Sequence, residues 1–485
     1  MYIFKKNFRT VLNKIKKIII SILKNTLSYK GIGMLVLIIL LVSCSQLKKK
    51  EKHQPPNIIF LLTDDHRWDA LGANGDTIIQ TPSLDKLANE GLNFKNAYVT
   101  TSICMVSRAS ILTGQYMSRH GINDFHQSIS ENALEKTYPA LLKKEGYRIG
   151  FVGKYGVGDP KDQPTELFDF WAGTPMHQPN YETVDKKGDS IHYTDLLSNG
   201  ISEFLKTSSS NKPFCLSVSF KSPHSQDGDV RQFIPKKKYR DLYSDIVIPE
   251  PYSAKPQYWD SLPNFFRTEE NIARNRWKLR FETPEKYQES VKNYYRLITG
   301  VDDAVGKMIE LLKNQGLEKN TIIIFLGDNG FYLGEHGLAG KWFGHEESIR
   351  VPLFIYDPRN EALSGEVKKI ALNIDIAPTI LGYAGIEIPV EMQGVDLVKL
   401  VKAEIEGRKE FFYEHTFDGS PKLPKVEGVV SPTLKYMYYP EHDYEELFDL
   451  KIDPYEINNL VNDPAYSELL KKQRILYNEI KQKVK

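Results

Sequence analysis

Only three cysteines occur in 485 residues, Cys44, Cys104 and Cys215, so no disulfide framework is implied. The fold must come from a core, and 41% hydrophobic against 26% charged residues is ordinary globular material for one. Long apolar runs are missing too: the uncharged stretch from Gly31 to Ser43 is too short to span a bilayer comfortably. Acids are absent from the first 43 residues, which carry eight Lys or Arg. Beyond that segment, 56 basic residues face 62 acidic ones, a balance near −6. Such a surface has no surplus positive charge to neutralise phosphates, which argues against a nucleic-acid binder. Past Cys44 there is no internal repeat or low-complexity tract, and the length suits one large domain plus a smaller one.

What is present begins with that basic opening and its apolar run, which read as a signal peptide. Leu41-Val42-Ser43-Cys44 resembles a bacterial lipobox. The resemblance implies residues 1–43 as signal peptide, cleavage before Cys44, diacylation of Cys44 and anchoring in a membrane, in the periplasm or at the cell surface. Residues 44–56 would be a tether, with Lys48, Lys49, Lys50 and Lys52 placed to touch anionic head groups. Cys215 lies in the apolar run Phe214 to Phe220, where a buried structural role is the default.

From Asn57 onward, short apolar runs alternate with helix-like stretches, the pattern of a mostly parallel α/β sheet flanked by helices. The expected strands are 57–62, 148–152, 215–220, 321–326 and 352–356, each continuous in its hydrophobicity as strands buried on both faces are. Helices are expected over 83–90, 138–145, 195–206 and 287–314, with Gly300 and Gly306 as possible breaks in the last. Residues 222–283, rich in Pro, Tyr and Trp without a period, are expected to wall a substrate cleft. After Ile388-Pro389 the pattern changes, and residues 406–485 are expected to form a small α+β subdomain. It carries an antiparallel sheet (411–415, 428–430, 435–439) and a terminal helix from Pro464.

Asp64-Asp65 follows one expected strand directly and Asp328-Asn329 another. Ligands in open α/β sheets collect outside the carboxyl ends of strands, so both pairs can converge on one place. Three carboxylates and an amide are all oxygen donors, suited to a hard cation such as Ca²⁺; zinc would call for His or Cys among the ligands.

The segment Cys104-Met105-Val106-Ser107-Arg108-Ala109-Ser110-Ile111-Leu112-Thr113-Gly114 puts a lone thiol and an arginine one helical turn apart, on one face. Here the chain resembles the formylglycine-dependent sulfatases, an alkaline-phosphatase-like family. Further matches are the Asp64-Asp65 pair, the run Gly327-Asp328-Asn329-Gly330 through Gly334-Glu335-His336-Gly337 to Lys341, and the closing stretch Leu447 to Leu460. The resemblance covers residues 57 to 460 and implies the alkaline-phosphatase-like fold, with 57–405 as the catalytic domain.

It also implies a chemistry. A formylglycine-generating enzyme would convert Cys104 to an aldehyde whose hydrate attacks sulfur. A serine in its place would be left sulfated after attack, whereas a gem-diol keeps a spare hydroxyl and collapses to expel sulfate. Ca²⁺ held by Asp64, Asp65, Asp328, Asn329 and the modified Cys104 would lower the pKa of the attacking oxygen and grip a sulfate oxygen. Lys154, His224 and Lys341 match the family's sulfate-binding cations, with His224 also protonating the leaving oxygen and Arg108 orienting the nucleophile. His345 and His415 match positions that select the substrate, and Trp68 is a further candidate for contact with a sugar.

Two departures accompany the match: Val106 stands where the family has Pro or Ala, and Gly156 where it has a histidine that takes a proton. His66, His126, His177 and His345 are the candidate substitutes. The expected activity is Ca²⁺-dependent release of sulfate from a sulfated carbohydrate. A phosphoester hydrolase on the same fold and a silent sulfated-glycan binder are the alternatives.

Overall fold

The computed structural model describes residues 14–17 and 55–485, apart from Pro175 and His177. The expected signal-peptide cleavage site, the expected lipidation at Cys44, and His177 lie outside the described residues. Two units are distinguished, Met1–Gln54 and Pro55–Lys485, and the second carries all that follows. Among the described residues no helix is long and apolar enough to cross a membrane.

In chain order the strands are β1 (Asn57–Asp64), β2 (Leu92–Tyr98), β3 (Arg148–Gly153), β4 (Phe170–Gly173), β5 (Glu182–Val184), β6 (Ser190–His192), β7 (Phe214–Pro223) and β8 (Thr321–Gly327). Then come β9 (Tyr332–Leu333), β10 (Ala339–Gly340), β11 (Leu353–Tyr356), β12 (Gly365–Leu372), β13 (Phe411–His415), β14 (Val426–Val430), β15 (Leu434–Tyr439) and β16 (Tyr444–Asp449). The main sheet has the order β12-β2-β11-β8-β1-β7-β3-β4. All its pairings are parallel except those of β11, which runs opposite to both β2 and β8. The sheet is thus mostly parallel as expected, with one reversed strand. An apolar run carries no sign of its direction, so the reversal could not be read from 352–356.

Side chains alternate across β1 and β8 as the strand period requires. Ile58, Phe60, Leu62, Ile322, Ile324 and Leu326 enter one core cluster, while Ile59, Leu61, Ile323 and Phe325 enter the other. The first cluster takes in the helices Cys104–Thr113 and Ile376–Ala384; the second takes in Pro82–Glu90, Tyr193–Lys206 and Pro284–Asn314. Helix Pro284–Asn314 runs unbroken for 31 residues through both glycines. Gly306 is there for proximity: a Cβ on it would stand 2.8 Å from Ser83 Oγ of the neighbouring helix.

Strands β2, β4 and β12 escape the hydrophobic pattern because β2 carries Asn and Lys while β4 and β12 are sheet edges with polar or half-exposed positions. The C-terminal antiparallel sheet is a four-stranded meander, β13-β14-β15-β16, one strand more than expected. Helix Ser467–Val484 covers it through Tyr477, which packs on Phe412 and Tyr436. Phe411, Phe412, Tyr413 and Tyr436 belong to the same core cluster as β1, so this sheet is continuous with the larger one in packing.

Candidate active site

Register brings the chemistry-bearing residues together. Thr63 of β1 pairs with Gly327 of β8, so Asp64-Asp65 and Asp328-Asn329 leave neighbouring strands side by side. On the other flank Asp64 pairs with Pro223 at the end of β7, which sets His224 beside it. Gly153 of β3 pairs with Ser219 of β7, and Lys154 follows. Asp65 has φ 62°, a left-handed conformation uncommon outside glycine. It is held from both sides: its N–H donates to Asp328 Oδ1 at 3.1 Å and its carbonyl accepts from Tyr294 OH at 2.7 Å.

Above these strand ends begins helix Cys104–Thr113, buried along its entire length. Cys104 is its first residue and Arg108 lies one turn on. Arg108 Nε donates to Asp328 Oδ2 at 2.9 Å, its Nη2 lies 2.8 Å from that oxygen and 3.5 Å from Asp64 Oδ2, and its Nη1 donates to the Lys154 carbonyl at 2.7 Å. A further donor contact reaches Ser219 Oγ, a residue that carries no motif. Lys154 Nζ pairs with Asp64 and Lys341 Nζ with Asp65. Asn329 Nδ2 donates to Asp65 Oδ1 at 2.6 Å. Lys341 follows the β9–β10 hairpin, and the next residue is fixed by the C-terminal sheet, where Tyr413 OH donates to the Trp342 carbonyl at 2.9 Å.

Burial sets the electrostatics. It works against the charge of Lys341, yet Asp65 and its neighbours hold that ammonium above the ordinary lysine range. It also opposes ionisation of Asp64, whose pKa is nonetheless driven down by Lys154, His224 and Arg108. Asp328 is pushed up, first by burial and then by the charge of Asp64. His224 is pulled down to about 4 by burial despite the nearby carboxylates. Its Nδ1 lies 2.6 Å from the Ser225 carbonyl and so carries the hydrogen, leaving Nε2 toward Asp65 Oδ2 at 3.4 Å.

The donor set fits a hard cation. Asp64 Oδ1 and Asn329 Oδ1 are buried oxygens without a hydrogen-bond partner among the described residues, a costly state for isolated acceptors. Ligand atoms of Asp64, Asp65 and His224 also lie within 4.8 Å of one another. The sequence reading placed His224 with the sulfate; the structure brings it within reach of the carboxylates as well.

A cavity of about 360 Å³ opens over the cluster, lined by Ile103, Cys104, Phe125, His126, Lys154, Gly156, Gln178, His224, Asp227, Arg276, Lys341, Trp342, Ser420 and Pro421. The 222–283 segment therefore does wall the cleft, through His224, Asp227 and Arg276. Size does not single this cavity out, since a groove of about 670 Å³ runs past Trp68, Tyr252 and Tyr455. The chemistry of its lining does.

Several expected residues lie elsewhere. His345 is buried, with Nδ1 2.6 Å from Tyr332 OH and its ring stacked on His336 at 4.3 Å. His415 is buried beside Phe417. Both rings are packed inside, and neither is among the residues that line the cavity. Trp68 sits under Arg350 in the other groove. His66 has both ring nitrogens engaged, by Thr63 Oγ1 and the Ala70 carbonyl, each at 3.1 Å. Of the candidate substitutes for the missing histidine, His126 is the described one that borders the cavity, and it pairs with Asp159 at 2.8 Å.

The backbone at Gly156 disfavours a histidine there. Its φ is +71°, and a Cβ would come 3.1 Å from Arg108 Cδ and 3.2 Å from Lys154 Cε. Gly156→His is expected to lower stability by about 1–3 kcal/mol without raising activity. Thermal unfolding and a turnover assay check both parts.

Comparison with known proteins agrees with this geometry. The sulfatase family model matches residues 56–386, and the model of the N-sulphoglucosamine sulphohydrolase C-terminal region matches 334–483. An N-acetylglucosamine-6-O-sulfatase of Bacteroides thetaiotaomicron is 28% identical, over 92% of this chain and 89% of its own. An arylsulfatase of Clostridium perfringens is 31% identical, over 85% of this chain and 92% of its own. A solved structure in complex with its substrate D-glucosamine-2-N,6-O-disulfate superposes with a TM-score of 0.75 at 27% identity, covering 89% of this chain and 98% of that one. With an alkaline-phosphatase-like sheet, its cluster of acids and cations at the strand ends and a family match over most of its length, the chain belongs to the sulfatase family and is a sulfuric ester hydrolase.

Proposed function

We propose that this sulfatase releases sulfate from a sulfated carbohydrate, with Cys104 as the precursor of a formylglycine nucleophile and Ca²⁺ held by Asp64, Asp65, Asp328 and Asn329. The observation that carries the reading is Cys104 at the start of a buried helix, opening into the same cavity as Lys154, His224 and Lys341. When present, the two groups supply a hydrated aldehyde able to attack sulfur and a Lewis acid for a sulfate oxygen.

The chain's own residues do the rest. Lys154 and Lys341 bind the sulfate oxygens, where fixed cations in a water-poor cleft are worth more than in solvent. Three carboxylates, Asp64, Asp65 and Asp328, balance the charges of Arg108, Lys154 and Lys341; a divalent ion then leaves the site electropositive, complementary to an anionic ester. Arg108 orients residue 104 from one helical turn away. His224 borders the cavity with Nε2, where it would bind sulfate and, once that nitrogen has taken up a proton against the effect of burial, hand it to the departing alcohol oxygen. A lipid on Cys44 would hold the enzyme at the bacterial surface or in the periplasm, where a formylglycine-generating enzyme has already acted. A sulfated sugar is the substrate class that the relatives named above support.

Mass spectrometry of the Cys104 peptide, after co-expression with a maturation enzyme, tests this directly. An aldehyde is expected; an unmodified thiol removes the mechanism. Treatment with a chelator is expected to lower sulfate release by at least about 100-fold, with Ca²⁺ restoring it. Gly156 also favours a second reading, a silent binder of sulfated glycans, because a glycine side chain offers no proton acceptor there. Retained binding without turnover of any sulfated sugar would establish it.

A further inference from the structure

The lining of the cavity also carries a carboxylate held in an unusual way. Arg276 and Arg280 lie four residues apart in helix Ile272–Arg280 and so share one face. Both reach Asp227: Arg276 Nη2 is 2.6 Å from its Oδ2, and Arg280 Nη2 is 3.3 Å from its Oδ1, which Ser225 Oγ also approaches at 3.3 Å. Arg280 is fully buried and further fixed by Gln232 Oε1 at 2.9 Å and Ser225 Oγ at 2.8 Å. Arg276 rests over the ring of Trp342 at 5.2 Å. Asp227 itself remains 45% exposed, facing the cavity.

A carboxylate clamped by two guanidinium groups stays ionised and rigid, with lone pairs still open on its exposed side. Gln178 adds another acceptor: it borders the cavity beside His224, and its Oε1 is buried without a partner among the described residues. Phe125, Trp342 and Pro421 complete the wall with apolar surface. Acceptors and apolar surface in one lining complement a polyol ring, which offers hydroxyl donors at its edge and C–H groups on its face.

The geometry points to Asp227 as the residue that selects the sugar: its carboxylate, positioned by Arg276 and Arg280, accepts hydrogen bonds from free hydroxyls of the ring that leaves, with Gln178 as a second acceptor. This rests on the sulfatase reading above and names the part of the substrate that the cavity recognises beyond sulfate.

The test uses the full chain matured by co-expression, with 4-nitrophenyl sulfate and a panel of monosulfated methyl glycosides as probes. Asp227→Asn is expected to lower kcat/KM on the sugar it prefers by about 30-fold more than on the aryl ester, which has no hydroxyls to donate. Because Asp227→Asn leaves Arg280 short of a counter-charge and could misfold, the unmutated enzyme provides the second measurement. Deoxy analogues of the preferred sugar, lacking one hydroxyl each, are expected to include one that falls by tenfold or more. Equal losses of Asp227→Asn on both substrate types, or deoxy sugars all turned over like the parent, overturn the assignment. Turnover of neither substrate type by the unmutated enzyme overturns the sulfatase reading and this inference with it.

Discussion

Cys104→Ala is expected to reduce sulfate release by about 10⁴-fold or more while leaving the fold in place. On the proposed reading the side chain at 104 is the only group that forms a bond to sulfur, so no neighbour can replace it. The fold is spared because alanine is a good helix former and removes a single sulfur atom from a position already 6% exposed. Cys104→Ser separates this chemistry from simple displacement by water. A serine oxygen can attack sulfur but keeps no second hydroxyl, so the protein should become stoichiometrically sulfated after one turnover and then stop. Intact-protein mass spectrometry with excess substrate reads that outcome; continued turnover by Cys104→Ser would contradict the gem-diol mechanism.

Arg108 carries the second large effect. Its guanidinium spans Asp328, Asp64, the Lys154 carbonyl and Ser219 Oγ at once, and it is 2% exposed. Removing one partner of a buried ion pair leaves uncompensated charge, so Arg108→Ala is expected to cost about 3–5 kcal/mol of stability. Arg108→Lys should recover little of this, because one ammonium cannot imitate a planar fork that meets four acceptors. Activity should fall by about 10³-fold in both variants as Asp328 and Lys154 lose their fixed positions. Denaturant titration beside sulfate release measures the two quantities; a lysine variant close to the unmutated protein in both would show that the fork is dispensable.

The uneven legibility of this site has physical causes. Asp64-Asp65 and Asp328-Asn329 were readable because each follows a fully buried apolar strand, and parallel neighbours deliver their ends to one edge. Cys104 and Arg108 were readable because helical spacing is a local property. Ser219, Gln178 and Asp227 carry no motif; the two arginines four apart in Ile272–Arg280 were the signal available for the last. His345 and His415 matched family positions yet turned out to be packed inside, since a motif match says nothing about which way a ring points.

Local periodicity and spacing were enough to announce a buried α/β sheet, a thiol with its arginine, and a group of oxygen donors at strand ends. Such features depend on residues within a turn or a strand of one another. The reversed β11, the clamp on Asp227, the left-handed turn at Asp65 and the left-handed, crowded backbone at Gly156 became visible with the folded chain. Each arises from groups that meet across long sequence separations, where strand order and packing, not neighbouring residues, choose the partner.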